Sequence, residues 1–248
     1  MTLVLKNVSY TFTNDRKQQN KVISQLNMQI NQGEFVSLIG KSGTGKSTIL
    51  KLITGLLKQD EGEILVNGKF VSLGDVGYMP QRDLLLPWRS IIDNIMIAAE
   101  LQKDLEITRA EAVNWLARVG LAEYENALPN QLSGGMRQRA AFLRALLTNK
   151  DLLLLDEPFG ALDALTKKEM QAWLLSIWQE LNKTILFITH DLEEACFLSD
   201  RIILLHPNKK MEEIKVELPR PRFPELLHSI ELAGMRYELE KKITNETV

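Results

Sequence analysis

The stretch that most constrains this chain is Gly40-Lys41-Ser42-Gly43-Thr44-Gly45-Lys46-Ser47-Thr48, set between an apolar run over 34–39 and a helical run over 47–57. Strand, glycine-rich loop and helix in that order form a phosphate cradle. Glycines let the backbone curl so that successive N–H groups aim at one anion. The helix that follows adds the positive end of its dipole. In such a loop Lys46 neutralises the β- and γ-phosphates of a nucleotide, and the Ser47 hydroxyl is a ligand for Mg²⁺.

A second acidic element completes that chemistry. Leu152-Leu153-Leu154-Leu155 reads as a strand buried on both faces, and Asp156-Glu157 falls at its C-terminal end, where open parallel sheets bind ligands. Asp156 is placed to hold Mg²⁺ through water, and Glu157 to polarise a water that attacks the γ-phosphate. Further strands are expected at 184–189 and 201–206. Apolar runs alternating with helices imply a parallel sheet covered on both faces.

Around this core the signals change. The N-terminal third reads as alternating strands at 3–5, 8–12 and 22–30, with a polar loop over 13–21 and turns at Asn31-Gln32-Gly33 and Asn67-Gly68. Residues 85–150 read as helical. Thr108 and Glu111 form a capping box for a helix running to about Val119, where Gly120 supplies a stop. Gly134 and Gly135 are expected to precede a helix over 136–148. Pro224 suits the first turn of a final helix. Composition adds limits. The 248 residues carry a formal charge of −2, which argues against sequence-independent nucleic-acid binding. The one cysteine, Cys196, is expected to be a buried thiol. No signal peptide and no run of about 18 apolar residues is seen, so any membrane part must come from other chains.

A third element stands shortly before the acidic strand: Leu132-Ser133-Gly134-Gly135-Met136-Arg137-Gln138-Arg139. A Ser-Gly-Gly at a helix start is a second anion site, and by itself also a plain helix cap. Together with the P-loop and Asp156-Glu157 it resembles the signature of ATP-binding cassette (ABC) ATPases, and the resemblance covers nearly the whole chain. Gln81 in Tyr78-Met79-Pro80-Gln81 is similar to the family's Q-loop glutamine. Ala161-Leu162-Asp163 is similar to its D-loop, and His190 to its switch histidine. Phe12 stands where the family places an adenine-stacking aromatic, with Tyr10 as rival and a core aromatic as the other reading. Met136 departs from the usual glutamine.

The resemblance implies an α/β fold in one domain: a P-loop NTPase core over 1–84 and 150–220, with an N-terminal antiparallel β region, an inserted helical subdomain over 85–149 and a C-terminal helix over 221–248. It implies ATP and Mg²⁺ as ligands, the metal held by Ser47, Gln81 and Asp156. Glu157, Gln81 and His190 would act on the γ-phosphate. Two copies would pack head to tail when ATP is bound, with Ser133, Gly134, Gly135 and Met136 of one facing the P-loop of the other.

The wording of 84–94, 132–139 and 156–166 is similar to importers of the nitrate, sulfonate and taurine group, which includes importers of thiamine-precursor pyrimidines. That implies integral membrane permease subunits and, indirectly, a solute-binding protein as partners, at the cytoplasmic face of the cell membrane. An ABC ATPase of DNA repair or of ribosomes is the alternative, but no coiled-coil heptads and no second cassette are seen. Leu84, Leu85, Leu86, Pro87 and Trp88 share no helical or strand periodicity. They are expected either as an exposed apolar cluster that receives a helix of the membrane subunit, or as packing beneath the helical insertion.

Overall fold

A computed structural model describes residues 1–13, 18–102, 107–160 and 162–244. Two sheets form the frame. Strands β1 (Leu3–Thr13) and β2 (Gln19–Ile30) make an antiparallel pair, β3 (Phe35–Ile39) leads into helix α1 (Lys46–Ile53), and β4 (Glu61–Val66) with β5 (Lys69–Phe70) extends the first sheet. Its order is β2-β1-β4-β5. Asn67 and Gly68 both have positive φ, the geometry a two-residue hairpin turn requires.

The chain then runs through β6 (Gly77–Met79), helices α2 (Ile91–Leu101), α3 (Arg109–Arg118) and α4 (Gly134–Leu146), and β7 (Leu152–Asp156). There follow α5 (Ala164–Leu181), β8 (Thr184–Ile188), α6 (Leu192–Leu198), β9 (Arg201–Leu205), β10 (Met211–Lys215) and α7 (Ile230–Thr244). The second sheet has the order β10-β9-β3-β8-β7-β6. All of its neighbours pair in parallel except β10 with β9.

Strands β3, β7 and β8 are buried at every residue. Because successive side chains point to opposite faces, they feed two cores. Leu153, Leu155, Ile185 and Phe187 join the helical side, with α2 to α7. Leu152, Leu154, Leu186 and Ile188 join the other, with α1 and the antiparallel sheet. Cys196 lies fully buried in the helical-side core, and burial pushes its thiol up to about 12.

Several expected boundaries move. The polar loop over 13–21 is shorter: Gln19, Asn20 and Lys21 pair with Thr13, Phe12 and Thr11. Cross-strand hydrogen bonds hold a hairpin that lacks an apolar face. Helix α1 ends at Ile53 because Gly55 turns left-handed and Leu57 N–H donates back to the Lys51 carbonyl, closing the helix as glycine caps do. Gly134 and Gly135 lie within the first turn of α4, since the Ser133 hydroxyl accepts the Met136 N–H and places the cap before them. Pro224 opens a 3-10 turn over Pro224–His228, and the final α-helix starts later, where the Ser229 hydroxyl accepts the Leu232 N–H. The capping box of Thr108 and Glu111 is present. Strand β6 was not foreseen.

Candidate functional site

Four neighbouring parallel strands deliver the expected groups to one edge. The loop beginning at Gly40 follows β3, Gln81 lies just past β6, Glu157 directly follows β7, and His190 lies just past β8. In the order β3-β8-β7-β6 these turns are adjacent, as the carboxyl-end rule for parallel sheets requires.

The P-loop folds as a cradle. Gly45 sits at φ 108° as the cap before α1, a conformation that costs a side chain and not glycine. Thr44 is buried and its hydroxyl donates to the Lys41 carbonyl across 2.9 Å. The Lys46 ammonium turns into the loop, donating to the carbonyls of Gly40 (2.7 Å) and Lys41 (3.1 Å). Burial lowers its pKa, while Glu157 and Asp156 pull it upward. A cavity of about 320 Å³ opens here, lined by Ser42, Gly43, Gly45, Lys46, Ser47 and Thr48, with Val22, Gln81, Glu157 and Ile188 opposite.

The far wall is acidic. Asp156 is buried, and its carboxyl is pushed up to about 6, first by burial and then by Glu157, against the pull of Lys46 and Lys51. Glu157 has φ 49°, a strained backbone for a residue with a Cβ. Its N–H donates to the Ile188 carbonyl at 2.9 Å, and its own carbonyl accepts from Gly160 N–H at 3.2 Å. That geometry turns its carboxylate to Gln81 Nε2 (2.9 Å) and to within 3.5 Å of His190 Nδ1.

Among the described residues no cluster of three or more His, Cys, Asp or Glu is placed to hold a metal. Ser47 and Gln81 line the cavity and Asp156 lies buried at the end of β7; these are the oxygen donors that would hold Mg²⁺.

The signature residues stand elsewhere. Ser133 and Gly134 are exposed, Gly135 and Met136 half-buried, and none of the four lines the P-loop cavity. Gly135 packs so near Leu162 that a Cβ would come within 2.9 Å of it. Asp163 caps α5, accepting the N–H groups of Thr166 and Leu165; hydrogen bonding from the Thr166 side chain, and then from the Thr166 and Leu165 N–H groups, holds its carboxyl below the ordinary range. Ala161 lies outside the described residues. Phe12 is 54% exposed, whereas Tyr10 packs against the core, so Tyr10 is the core aromatic of the pair.

The apolar cluster over 84–88 is divided. Leu84 and Trp88 are exposed at 59% and 74%, Pro87 is exposed, Leu86 is half-buried, and Leu85 belongs to the core. Buried Asn94 holds this turn: its Oδ1 accepts the Leu86 N–H at 2.7 Å, and its Nδ2 donates to the Leu86, Arg89 and Ser90 carbonyls. From α4, Arg144 donates to the carbonyls of Asp83 (2.6 Å) and Leu84 (2.8 Å), and Arg137 pairs with the Asp83 carboxylate at 3.1 Å. Sequence reasoning gave Asn94, Arg137 and Arg144 no role. The one signal was Asn94 within the mostly apolar run Ile91–Leu101.

A nucleotide cradle facing a carboxylate, a glutamine and a histidine at the ends of adjacent parallel strands defines a P-loop nucleoside-triphosphate hydrolase. Residues 23–160 match the ABC transporter family. The chain is 42% identical over 246 residues to the formylaminopyrimidine import ATP-binding protein ThiZ of Halalkalibacterium halodurans, covering 97% of this chain and 94% of that one. It is 40% identical to the aliphatic sulfonates import ATP-binding protein SsuB of Bacillus cereus, over 90% of this chain and 89% of that one. It is also 40% identical to the bicarbonate transport ATP-binding protein CmpD of a Synechocystis, over 89% and 80%. A dimeric post-hydrolysis structure of the ATP-binding cassette MJ0796 bound to ADP and Pi superposes with a TM-score of 0.80 at 31% identity, covering 88% of this chain and all of that one. The chain belongs to the ABC transporter family and is an ATPase coupled to transport. No helix among its described residues is long and apolar enough to cross a membrane.

Proposed function

We propose that this subunit hydrolyses ATP to drive import of a small solute of the nitrate, sulfonate and taurine group, a group in which the ThiZ-like pyrimidine importers also fall. The observation that carries the catalytic reading is the Glu157 carboxylate, held by Gln81 beside His190 at the mouth of the P-loop cavity.

The backbone N–H groups over 40–48 and the Lys46 ammonium bind the β- and γ-phosphates, and Phe12 stacks on the adenine. Glu157 accepts a proton from the attacking water as its oxygen bonds to the γ-phosphorus and the bond to ADP breaks. Gln81 orients that water, and His190 donates to the γ-phosphate. Mg²⁺, held by Ser47, Gln81 and Asp156, would neutralise the charge on the phosphate oxygens. Two copies pair head to tail on ATP, so that Ser133, Gly134, Gly135 and Met136 complete the partner's site. Each copy divides into the α/β core and the helical subdomain over 85–149. The pair docks on integral membrane permease subunits at the cytoplasmic face, and a solute-binding protein delivers the cargo to those subunits.

ATP turnover measured beside ATP binding tests the site. Lys46→Ala should lose turnover, and Glu157→Gln should keep binding yet slow hydrolysis by roughly 10²–10⁴-fold, the share of a general base. Near-normal turnover in Glu157→Gln would end the assignment. Uptake of labelled sulfonate, nitrate and pyrimidine in cells carrying the membrane subunits tests the import reading.

A further inference from the structure

Behind His190 lies a charged cluster that the proposed chemistry does not use. Lys167, on the first turns of α5, donates to Asp191 Oδ2 and lies equally close, 2.6 Å in each case, to Glu194 Oε1. Glu194 is 5% exposed and also accepts a hydrogen bond from the Thr189 hydroxyl. That hydroxyl in turn accepts the Asp191 N–H at 3.0 Å. Asp191 Oδ1 caps α6 by accepting the N–H groups of Glu193 and Glu194. His190 thus sits between Thr189 and Asp191, both fixed by this cluster, while its own ring is 71% exposed and lies 3.5 Å from Glu157.

The other end of the link is equally defined. Lys167 N–H donates to the Asp163 carbonyl at 2.8 Å, in the first turn of the helix that Asp163 caps. A carboxylate as buried as that of Glu194 needs a cation to remain ionised, and Lys167 is the cation bonded to it. One ammonium therefore joins the start of α5 to the turn that carries the histidine.

We propose that Lys167 is a positioning residue for hydrolysis: it locks the Thr189-His190-Asp191 turn to the Asp163 end of α5, so that His190 is held at the γ-phosphate only while α5 is in place. The inference rests on the reading of His190 given above. It adds a route by which a partner subunit pressing on Asp163 reaches the histidine without touching it.

The test is steady-state ATPase activity with separate ATP-binding measurements on Lys167→Met, Lys167→Arg, Lys167→Met/Glu194→Gln and His190→Ala. Lys167→Met should lower kcat roughly 10- to 100-fold, the range that a small misplacement of a positioned group costs, with ATP affinity unchanged. Lys167→Arg, which can still bridge both carboxylates, should recover most of the rate. Lys167→Met leaves a buried charge unpaired and can therefore unfold. The Lys167→Met/Glu194→Gln variant removes both charges and should fold while keeping the kcat defect. Wild-type kcat in that double variant, or a loss of ATP affinity instead of kcat, would overturn the proposal. If His190→Ala turns over at the wild-type rate, the reading of His190 fails. If His190→Ala is slow while both Lys167→Met variants are not, only the role of Lys167 fails.

Discussion

The side-chain amide of Gln81 donates to Glu157 Oε2 across 2.9 Å, tying the turn after β6 to the residue that directly follows β7. Glu157 reaches this contact because its backbone is left-handed, which swings the carboxylate off the strand axis and over the P-loop cavity. One hydrogen bond therefore fixes the direction of the proposed base. It also links that base to the segment leading into 84–88.

Removing Gln81 should accordingly damage catalysis less than removing the base itself. Gln81→Ala leaves a carboxylate able to accept a proton but no longer aimed. Single-turnover hydrolysis should slow, with a smaller loss than the roughly 10²–10⁴-fold of Glu157→Gln. A larger loss in Gln81→Ala than in Glu157→Gln would reverse the two roles.

Asp156 gives a stability prediction with a defined sign. Its carboxyl is raised from 3.8 to about 6, by burial first and by Glu157 second. An acid that binds its proton more tightly in the folded chain favours folding at low pH. That contribution is lost as pH rises from 3.8 through about 6. Asp156→Asn escapes the loss. At pH 8, without Mg²⁺ or nucleotide, it should be more stable than the parent by on the order of 1–3 kcal/mol, and the gain should vanish below about pH 4. Urea unfolding at both pH values decides this. A parent more stable than Asp156→Asn at pH 8 would contradict the burial argument.

The proposed head-to-tail pairing would make hydrolysis a two-copy property. Ser133 and Gly134 are exposed and do not line their own P-loop cavity. Mixing inactive Lys46→Ala with inactive Ser133→Arg should restore turnover, because one of the two composite sites then has an intact P-loop and an intact signature. Glu157→Gln should form dimers on size exclusion only when ATP is present. A strictly monomeric protein with full turnover would refute the composite site.

How much of this could be read from the residues depended on locality. The four-leucine strand before Asp156-Glu157, the P-loop and the Thr108 capping box are written in consecutive residues, and the fold has them where expected. Strand β6, three residues long, is too short for a periodicity and exists through its pairing with β7. The two glycines of the signature argued against helix, because glycine is a poor helix former; only the Ser133 cap moves the boundary. Nothing in the sequence showed that Glu157 would be left-handed. Lys167 meets Asp191 and Glu194 only because α5 and the turn after β8 are brought together by the sheet. Leu85 and Leu86 show the same limit from the other side: five apolar residues in a row do not reveal which of them face outward.

The coupling role expected of 84–88 is tested at the residues of the run that face outward. Leu85 is core and Leu86 half-buried, so changing either would confound docking with folding. Leu84 and Trp88 are the large apolar side chains of the run that are exposed, and exposed apolar side chains with an aromatic among them are typical of interfaces. Their turn is not loose. Arg144 holds the Asp83 and Leu84 carbonyls, Arg137 holds the Asp83 carboxylate, and Asn94 holds the Leu86 backbone. Both arginines lie on α4, whose first turn is the signature. A shift at Gln81 would then move the exposed pair and the signature helix together. Leu84→Ser/Trp88→Ser should leave thermal stability nearly unchanged, within about 0.5 kcal/mol as for most surface changes, and basal ATPase intact. The same variant should fail to copurify with the membrane subunits and should lose solute uptake. Unchanged uptake, or unfolding of the variant, would show that the pair serves packing and not coupling.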